Sequence, residues 1–232
     1  MSNSPYYINH SCKCVLITSP KSACTVLQHA FIKEICKIKT NEDPRIIANR
    51  GGFEQMDYNL IPNDYTIYWG IRNPFDRIVS CYFNKFILYG NNRLNKNNLE
   101  PFSDKLLENI KIDYNEITFN KMLVGIEHLM KHQNINNHFN NQINMKAYNI
   151  IKNHPNLIIF DINNIPDIFN INYKLNVTNK PKNIIMRDLC DIKTIDININ
   201  ELSKDNFINS LGLVKKIYNM DYLIFKKYGF YI

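Results

Sequence analysis

The sequence predicts an α/β fold in which a central, mainly parallel β-sheet is flanked by helices. Three short runs rich in β-branched and aromatic residues, at positions 13–18, 65–71 and 157–160, have the character of buried strands. Each run is followed by apolar residues that recur at helical spacing. Strands that alternate with helices in this way are typical of parallel sheets, which bind ligands beyond the carboxyl ends of their strands.

Each strand–helix unit has its own boundary signals. After the first strand, Pro20 interrupts the apolar run, and a helix is expected over 23–37. After the second strand, Pro74 suits the first turn of a helix whose apolar face continues to Phe86. The third strand leads into a helical pattern that ends near Phe169.

The rest of the chain adds helices and polar loops to this core. Further helices are expected over 118–132, 145–153 and 205–228, the last as one long terminal helix. Exposed loops are expected over 90–101, which is rich in asparagine, and over 176–183, which is basic. No clear linker interrupts the pattern, so residues 1–232 are expected to form a single domain.

The composition favours a globular protein with an anionic partner. Lysine and arginine (28) outnumber aspartate and glutamate (21), which gives a formal net charge of +7. The lysines accompany an excess of asparagine and isoleucine, as a bias toward AT-rich codons would produce, so the charge alone identifies no ligand. A nucleotide or a polyanionic glycan suits this charge. We expect no nucleic acid partner, because RNP-type aromatic patterns and zinc-finger spacings are missing from the sequence.

The hydropathy and cysteine patterns predict a soluble protein. No run of about 18 apolar residues is present, so we expect no stable membrane insertion. The first ten residues lack the apolar region of a signal peptide, and the six cysteines follow no disulfide framework, so we expect reduced thiols and a cytoplasmic location. Cys12 and Cys14 could be metal ligands, but alternate residues of an edge strand are favoured, since no second Cys/His pair stands at zinc spacing.

Residues 19–25 combine the properties of an anion-binding loop. They join a strand to a helix N-terminus, where backbone N–H groups and the helix dipole favour a phosphate or sulfate. Lys21 adds a full positive charge, and Ser22 and Thr25 add hydroxyl donors. The alternative is a plain strand–helix turn with a solvated lysine. The loop is not a Walker A motif, because it contains no glycine, and a magnesium-dependent kinase or NTPase is therefore disfavoured.

A second polar cluster follows the strand at 65–71. Arg72 stands at the end of this strand, and Ser80 lies eight residues further on, about two turns into the next helix. A guanidinium and a hydroxyl placed in this way could hold one phosphate between them.

These two clusters resemble the nucleotide-binding motifs of the PAPS-dependent sulfotransferases, particularly of the carbohydrate sulfotransferase branch (PAPS is 3'-phosphoadenosine 5'-phosphosulfate). The 5'-phosphosulfate loop of that family reads Pro-Lys-x-Ala-Cys-Thr, and the matching residues are Pro20, Lys21, Ala23, Cys24 and Thr25. Its 3'-phosphate motif reads Arg-x-Pro-Phe-x-Arg-Leu/Ile-Val-Ser-x-Tyr/Phe, and residues 72–82 match it.

Two further stretches are similar to family patterns. Residues 136–142 keep His138 and Gln142 of a segment Asp/Asn-x-His-Trp-x-Pro-Gln, with Phe139 and Asn141 in place of Trp and Pro. Residues 218–225 match a Tyr-x-x-Asp-x-x-x-Phe pattern. The resemblance therefore extends from about residue 15 to the C-terminus.

The resemblance implies a P-loop-like sulfotransferase fold and an enzyme. It implies that the enzyme moves a sulfuryl group from PAPS, its co-substrate, to a hydroxyl acceptor, which is expected to be a carbohydrate. Lys21 would stabilise the leaving group, Arg72 and Ser80 would hold the 3'-phosphate, and no metal would be needed. The residues that the resemblance places around the 5'-phosphate are Lys21, Ser22, Ala23, Cys24, Thr25 and Val26.

The resemblance also implies that His138 is the general base, a role that suits a side chain titrating near neutral pH. Glu54 and Asp57, which lie between the two nucleotide motifs, are the alternatives. His128 and His132 share a zinc-like spacing, but a solvated helix face is favoured because no third ligand is evident. The alternative to an enzyme is a catalytically inactive relative that binds a nucleotide or a glycan.

Overall fold

The computed structural model describes residues 6–39, 47, 57–82, 106, 108, 111, 117–132, 138–171, 207 and 209–230. The chain divides into two units. The sheet unit comprises Met1–Asn73, Asn141–Thr178 and Met220–Ile232, and the helical unit comprises Pro74–Asn140 and Asn179–Asn219. The expectation of a single domain stays a prediction. The loops expected at 90–101 and 176–183 lie outside the described residues.

The described strands form one four-stranded sheet, which belongs to the sheet unit. In spatial order they are β1 (Tyr6–Asn9), β2 (Cys14–Ile17), β3 (Thr66–Ile71) and β4 (Leu157–Asp161). β2, β3 and β4 run parallel, with Val15 opposite Ile67 and Ile67 opposite Leu157. The three predicted strands and the mostly parallel sheet are thus confirmed. β1 pairs antiparallel with β2 and was not predicted, because its run of hydrophobic residues, Tyr6 to Ile8, is only three residues long and lies in an otherwise polar segment.

Seven α-helices, numbered in chain order, lie within the described residues. They are α1 (Cys24–Ala30), α2 (Pro74–Tyr82), α3 (Phe119–Lys131), α4 (Met145–Ile151), α5 (Ile165–Ile168), α6 (Leu211–Ile217) and α7 (Asn219–Lys227). A 3₁₀ helix, Ile162–Asn164, precedes α5. None of these described helices is long and apolar enough to cross a bilayer.

Side-chain caps start two of the predicted helices where expected. The Thr118 hydroxyl accepts a hydrogen bond from the Lys121 N–H at 3.2 Å, and the Asn144 side chain accepts one from the Ala147 N–H at 3.1 Å. These bonds satisfy amides that have no partner inside the helix. They confirm the helices expected over 118–132 and 145–153, which are α3 and α4.

The helical pattern over 23–37 is α-helical only in its first half. α1 ends at Ala30 and continues as a π-helical turn, Phe31–Ile35. Cys36 follows this turn, and Lys37 takes a left-handed φ of 54°, which ends the helix.

Side chains of the sheet alternate between two buried faces. One face packs against α4 and α7, and its core includes Val15, Ile67, Trp69, Tyr148 and Phe225. The other face packs against α1, the π-helical turn and α5, and its core includes Leu16, Leu27, Phe31, Phe160 and Ile165. Because both faces are covered, the parallel strands appear in the sequence as nearly continuous apolar runs, which made them predictable.

The prediction of a single terminal helix over 205–228 is wrong. The structure has α6 and α7 in this region, separated at Tyr218, whose φ of −107° and ψ of 32° lie outside the α-helical range. The Tyr218 hydroxyl donates a hydrogen bond of 2.6 Å to the Phe139 carbonyl oxygen, and both residues are buried in the helical unit. This tertiary bond holds Tyr218 at the break, which neither proline nor glycine marks in the sequence.

Aromatic side chains form the core of the helical unit. They are Phe75 and Tyr82 of α2, Phe119 of α3, and Phe207, with ring centroids 4.7 to 6.4 Å apart and nearly perpendicular planes. Edge-to-face pairs of this kind add to the stabilisation from burial alone.

The edge-strand interpretation of Cys12 and Cys14 is wrong. Cys14 lies in β2, which is an internal strand because β1 pairs with it on one side and β3 on the other. Cys12 lies in the turn that joins β1 to β2.

Gly70 allows Leu27 of α1 to lie directly on β3. A Cβ atom at Gly70 would meet Leu27 Cδ1 at 2.6 Å and Phe160 Cζ at 3.4 Å. Leu27 is fully buried, so its side chain has little room to move away. We therefore expect Gly70→Ala to lower the free energy of unfolding by about 1–2 kcal/mol, measured by urea denaturation.

Gly212→Ala is the matched control for this prediction. Gly212 lies in α6, and a Cβ atom there would meet nothing within 4 Å among the described residues. Because alanine favours a helix over glycine, this variant should be neutral or more stable by up to about 1 kcal/mol. An equal loss of stability in the two variants would contradict the close packing at Gly70.

Candidate active site

The loop that follows β2 holds two residues in an uncommon backbone conformation. Lys21 has a φ of 65° and Ala23 a φ of 51°, so both lie in the left-handed region. Between them, the Ser22 N–H donates to the Ser19 carbonyl oxygen at 3.1 Å. A left-handed residue other than glycine costs about 1–2 kcal/mol, so surrounding contacts must hold the loop in this shape.

Arg72 supplies one of these contacts. It stands directly after β3 and is only 6% exposed. Its Nη1 atom donates to the Lys21 carbonyl oxygen at 3.0 Å. The structure therefore brings together the arginine of the second predicted motif and the lysine of the first, inside the sheet unit.

The side-chain amide of Gln142 supplies three more contacts. Its Oε1 atom accepts from the Ser22 hydroxyl at 3.0 Å and from the Arg72 N–H at 2.9 Å. Its Nε2 atom donates to the Arg72 carbonyl oxygen at 2.6 Å. The amide thus pairs with both backbone groups of Arg72, much as a residue of a neighbouring strand would. Gln142 is fully buried, so these bonds are made away from water.

The backbone of Gln142 is held by two polar side chains. Its N–H donates to Asp221 Oδ2 at 2.8 Å, and its carbonyl oxygen accepts from the Ser19 hydroxyl at 2.6 Å. The Ile143 N–H donates to the other carboxylate oxygen of Asp221 at 3.0 Å. Asp221 is fully buried in the first turn of α7, where a negative charge also interacts favourably with the helix dipole. Gln142 therefore joins residues of three predicted motifs: Ser22, Arg72 and Asp221.

The other residues predicted to bind the 5'-phosphate lie at the start of α1. Cys24, Thr25 and Val26 are half-buried, and their amides precede the first bond within the helix, which the Leu27 N–H donates to Ala23. Ser22 differs, because its hydroxyl and its N–H both donate to groups of the protein. Its observed role is to hold the loop, and its direct contact with a phosphate stays a prediction.

Ser80 and His138 belong to the helical unit. Ser80 lies on α2 and is buried. The His138 carbonyl oxygen accepts from Arg77 Nη2 at 3.3 Å and from Cys81 Sγ at 3.3 Å. Arg77 is only 1% exposed, so its guanidinium is a buried anchor for the backbone at His138. The catalytic role of His138 stays a prediction, as do the two alternatives. Asp57 is exposed and caps a second 3₁₀ helix, Tyr58–Leu60, and Glu54 lies outside the described residues.

Phe139 departs from the family pattern, and its burial shows how the fold accommodates this residue. Phe139 stands where the family has tryptophan, and it is fully buried. The position is therefore part of the core of the helical unit, where one aromatic side chain can replace another.

The described residues contain no group of three or more histidine, cysteine, aspartate or glutamate side chains placed to hold a metal ion. His128 and His132 are both exposed, with ring centroids 4.7 Å apart on α3.

The geometry of the sheet unit agrees with a comparison of the whole sequence. The sequence model of the sulfotransferase family matches residues 4–229, which is nearly the entire chain. The chain belongs to the sulfotransferase family. No curated protein and no solved structure matches it. Membership confirms the family resemblance drawn from the motifs, and it supports sulfuryl transfer as the reaction class. The mostly parallel α/β sheet is consistent with the sulfotransferase fold.

Three residues with structural roles, two in the sheet unit and one in the helical unit, were named in the sequence only as parts of motifs. They are Arg77, Gln142 and Asp221, which anchor the backbone at His138, Arg72 and Gln142 respectively. Polar or charged residues within otherwise apolar helix patterns were the available signal for Arg77 and Asp221, since such residues are rarely buried without a partner.

The left-handed conformation of Ala23 predicts that glycine would be better at this position. We expect Ala23→Gly to raise the free energy of unfolding by about 0.5–1 kcal/mol, because glycine removes the steric cost of the positive φ. The control is Ala30→Gly at the last residue of α1, where φ is −61° and glycine should cost at least about 1 kcal/mol. Chemical denaturation of both variants measures the difference, and losses of equal size would contradict the left-handed loop.

Because the side-chain amide of Gln142 is buried and hydrogen-bonded, we expect its removal to lower the stability of the fold strongly. Gln142→Leu keeps most of the side-chain volume. It leaves the Ser22 hydroxyl and the backbone N–H and carbonyl of Arg72 without the hydrogen bonds that they make to Gln142. We expect a loss of at least about 3 kcal/mol in the free energy of unfolding, because each buried polar group left without a partner costs about 1–3 kcal/mol. Asn149→Ala, at an exposed position on α4, should change it by less than about 0.5 kcal/mol.

Proposed function

We propose that the protein is an enzyme that transfers the sulfuryl group of PAPS to a hydroxyl of a carbohydrate acceptor. The observation that carries this proposal is the bond between Arg72 Nη1 and the Lys21 carbonyl oxygen in a chain of the sulfotransferase family. This bond joins the two loops that follow the parallel strands β2 and β3 at their carboxyl ends, and these loops carry the two motifs that the resemblance assigns to nucleotide binding.

The donor set in the sheet unit suits a doubly phosphorylated nucleotide. Lys21 is a compact ammonium, and Arg72 is a fork of five N–H donors that can hold a carbonyl and a phosphate at the same time. The amides of Ala23, Cys24, Thr25 and Val26, at the junction of the loop and α1, would complete the cradle around the 5'-phosphate in a P-loop-like arrangement. Ser80 would bind the 3'-phosphate together with Arg72, as its place in the motif implies.

Two residues would act directly in the reaction, one by stabilising charge and the other by accepting a proton. Lys21 would stabilise the negative charge that develops on the leaving 5'-phosphate oxygen, which is the main electrostatic demand of group transfer. His138 would accept the proton of the attacking hydroxyl. The bonds from Arg77 and Cys81 to the His138 carbonyl would fix its backbone and so help to orient the imidazole.

The direct test combines binding and turnover. The full chain should bind the nucleotide product, 3'-phosphoadenosine 5'-phosphate, in a calorimetric titration, and it should transfer radiolabelled sulfate from PAPS to at least one member of a glycan panel. A folded protein that does not bind the nucleotide product would overturn the proposal. Normal nucleotide binding without turnover on any acceptor would instead favour an inactive binding module.

Lys21 should be required for turnover. We expect Lys21→Ala to lower the rate of sulfate transfer by about 100-fold or more, because removal of one preorganised charge-stabilising group typically costs 10²–10³ in rate. The control is Lys33→Ala, an exposed lysine on the π-helical turn that follows α1, which should keep the parent rate. Equal rates for the two variants would show that Lys21 does not stabilise the leaving group.

His138 should be required for turnover and dispensable for nucleotide binding. We expect His138→Ala to lower the rate by about 10²–10⁴-fold, the usual contribution of general acid–base catalysis, with an unchanged Kd for the nucleotide product. Asp57→Asn and Glu54→Gln test the alternative bases in the same assay. If one of them abolishes turnover while His138→Ala does not, the base is that carboxylate.

A further inference from the structure

Two thiols meet in the sheet unit, away from the loops that carry the proposed function. Cys12 lies in the turn between β1 and β2, and Cys36 directly follows the π-helical turn Phe31–Ile35. Their Sγ atoms are 3.5 Å apart, which is van der Waals contact between two sulfurs. Both residues are partly exposed to solvent.

A third thiol lies close by but is differently placed. Cys14 is buried in β2, and its Sγ atom donates to the Cys12 carbonyl oxygen at 3.1 Å. The geometry therefore selects Cys12 and Cys36 as the pair able to form a bond, because they are the partly exposed cysteines whose sulfur atoms are in contact.

We propose that Cys12 and Cys36 are a reversible thiol–disulfide site, oxidised by a low-molecular-weight disulfide such as glutathione disulfide. The Cys12 thiolate attacks one sulfur of glutathione disulfide and releases one glutathione thiolate. The Cys36 sulfur, after losing its proton, then attacks Cys12 Sγ and releases the second glutathione. Two protein thiols are oxidised to one disulfide, and one glutathione disulfide is reduced to two thiols, so atoms and electrons balance.

The surroundings of Cys36 and Cys14 disfavour both thiols as the first nucleophile. Burial raises the pKa of the Cys36 thiol, and the neighbouring Cys12 raises it further. Burial, followed by the charge of Cys12, raises the pKa of Cys14 to about 12. Cys36 and Cys14 therefore keep their protons at neutral pH, which makes both of them poor nucleophiles for the first attack.

The position of the pair gives the disulfide a structural effect. Residues 12–36 contain β2, the loop at 19–25 and α1, so the bond would close one covalent ring around this strand–loop–helix unit. A ring of this kind stabilises the folded state mainly by restricting the unfolded chain. To form the bond, the sulfurs must move from 3.5 Å to the S–S length of about 2.05 Å.

The experiment uses the full chain equilibrated in glutathione buffers of increasing oxidised fraction. Peptide mapping by mass spectrometry should show a Cys12–Cys36 linked peptide, with the loss of two hydrogens, that disappears on addition of a thiol reductant. The oxidised protein should melt about 5–10 °C higher than the reduced one. A predominant link that involves Cys14, Cys24, Cys81 or Cys190, or an unchanged Tm in mapped oxidised protein, would overturn the proposal.

Matched variants make this test specific. Cys12→Ser and Cys36→Ser should each abolish the linked peptide and the rise in Tm, whereas Cys14→Ser should keep both. Formation of the same Tm shift in Cys12→Ser would contradict the assignment. The mapping on the parent chain remains decisive if a variant does not fold. These readouts do not depend on a nucleotide or on sulfate transfer, so their failure and the failure of the proposed function are separate results.

Discussion

The side-chain amide of Gln142 is the interaction on which the rest of the site depends. It binds the Ser22 hydroxyl and both backbone groups of Arg72, and its own backbone is held by Asp221 and Ser19. The two loops beyond β2 and β3 therefore take their positions from one buried residue that lies far from both in sequence. A fully satisfied buried network of this kind favours a single arrangement, because every alternative leaves a polar group without a partner.

This constraint also explains the left-handed conformations in the first loop. Lys21 and Ala23 would not adopt a positive φ in isolation, but Arg72 and Gln142 bind the loop at the Lys21 carbonyl and at the Ser22 hydroxyl. The energy of several buried hydrogen bonds outweighs a steric cost of about 1–2 kcal/mol per residue. In the helical unit, Arg77 and Tyr218 hold the backbone at His138 and Phe139 by the same kind of bond, from a buried side chain to a carbonyl.

The predictable parts of the fold are those where a sequence pattern is typical of a single kind of structure. Strands buried on both faces are continuous apolar runs, and Thr118 and Asn144 mark helix starts by their capping oxygens. Lys21 and Arg72 could likewise be named in the sequence from their motifs. The break at Tyr218 and the role of Gln142 could not, because each depends on a hydrogen bond to a residue distant in sequence.

The absence of glycine from the loop at 19–25 has a consequence for binding energetics. A glycine-rich loop samples many backbone conformations and must lose them when an anion orders it. Here the residues with positive φ carry side chains, and buried partners already restrain them. The conformational entropy of this segment is therefore lost during folding rather than during ligand association, so an anion that binds here meets a preorganised surface.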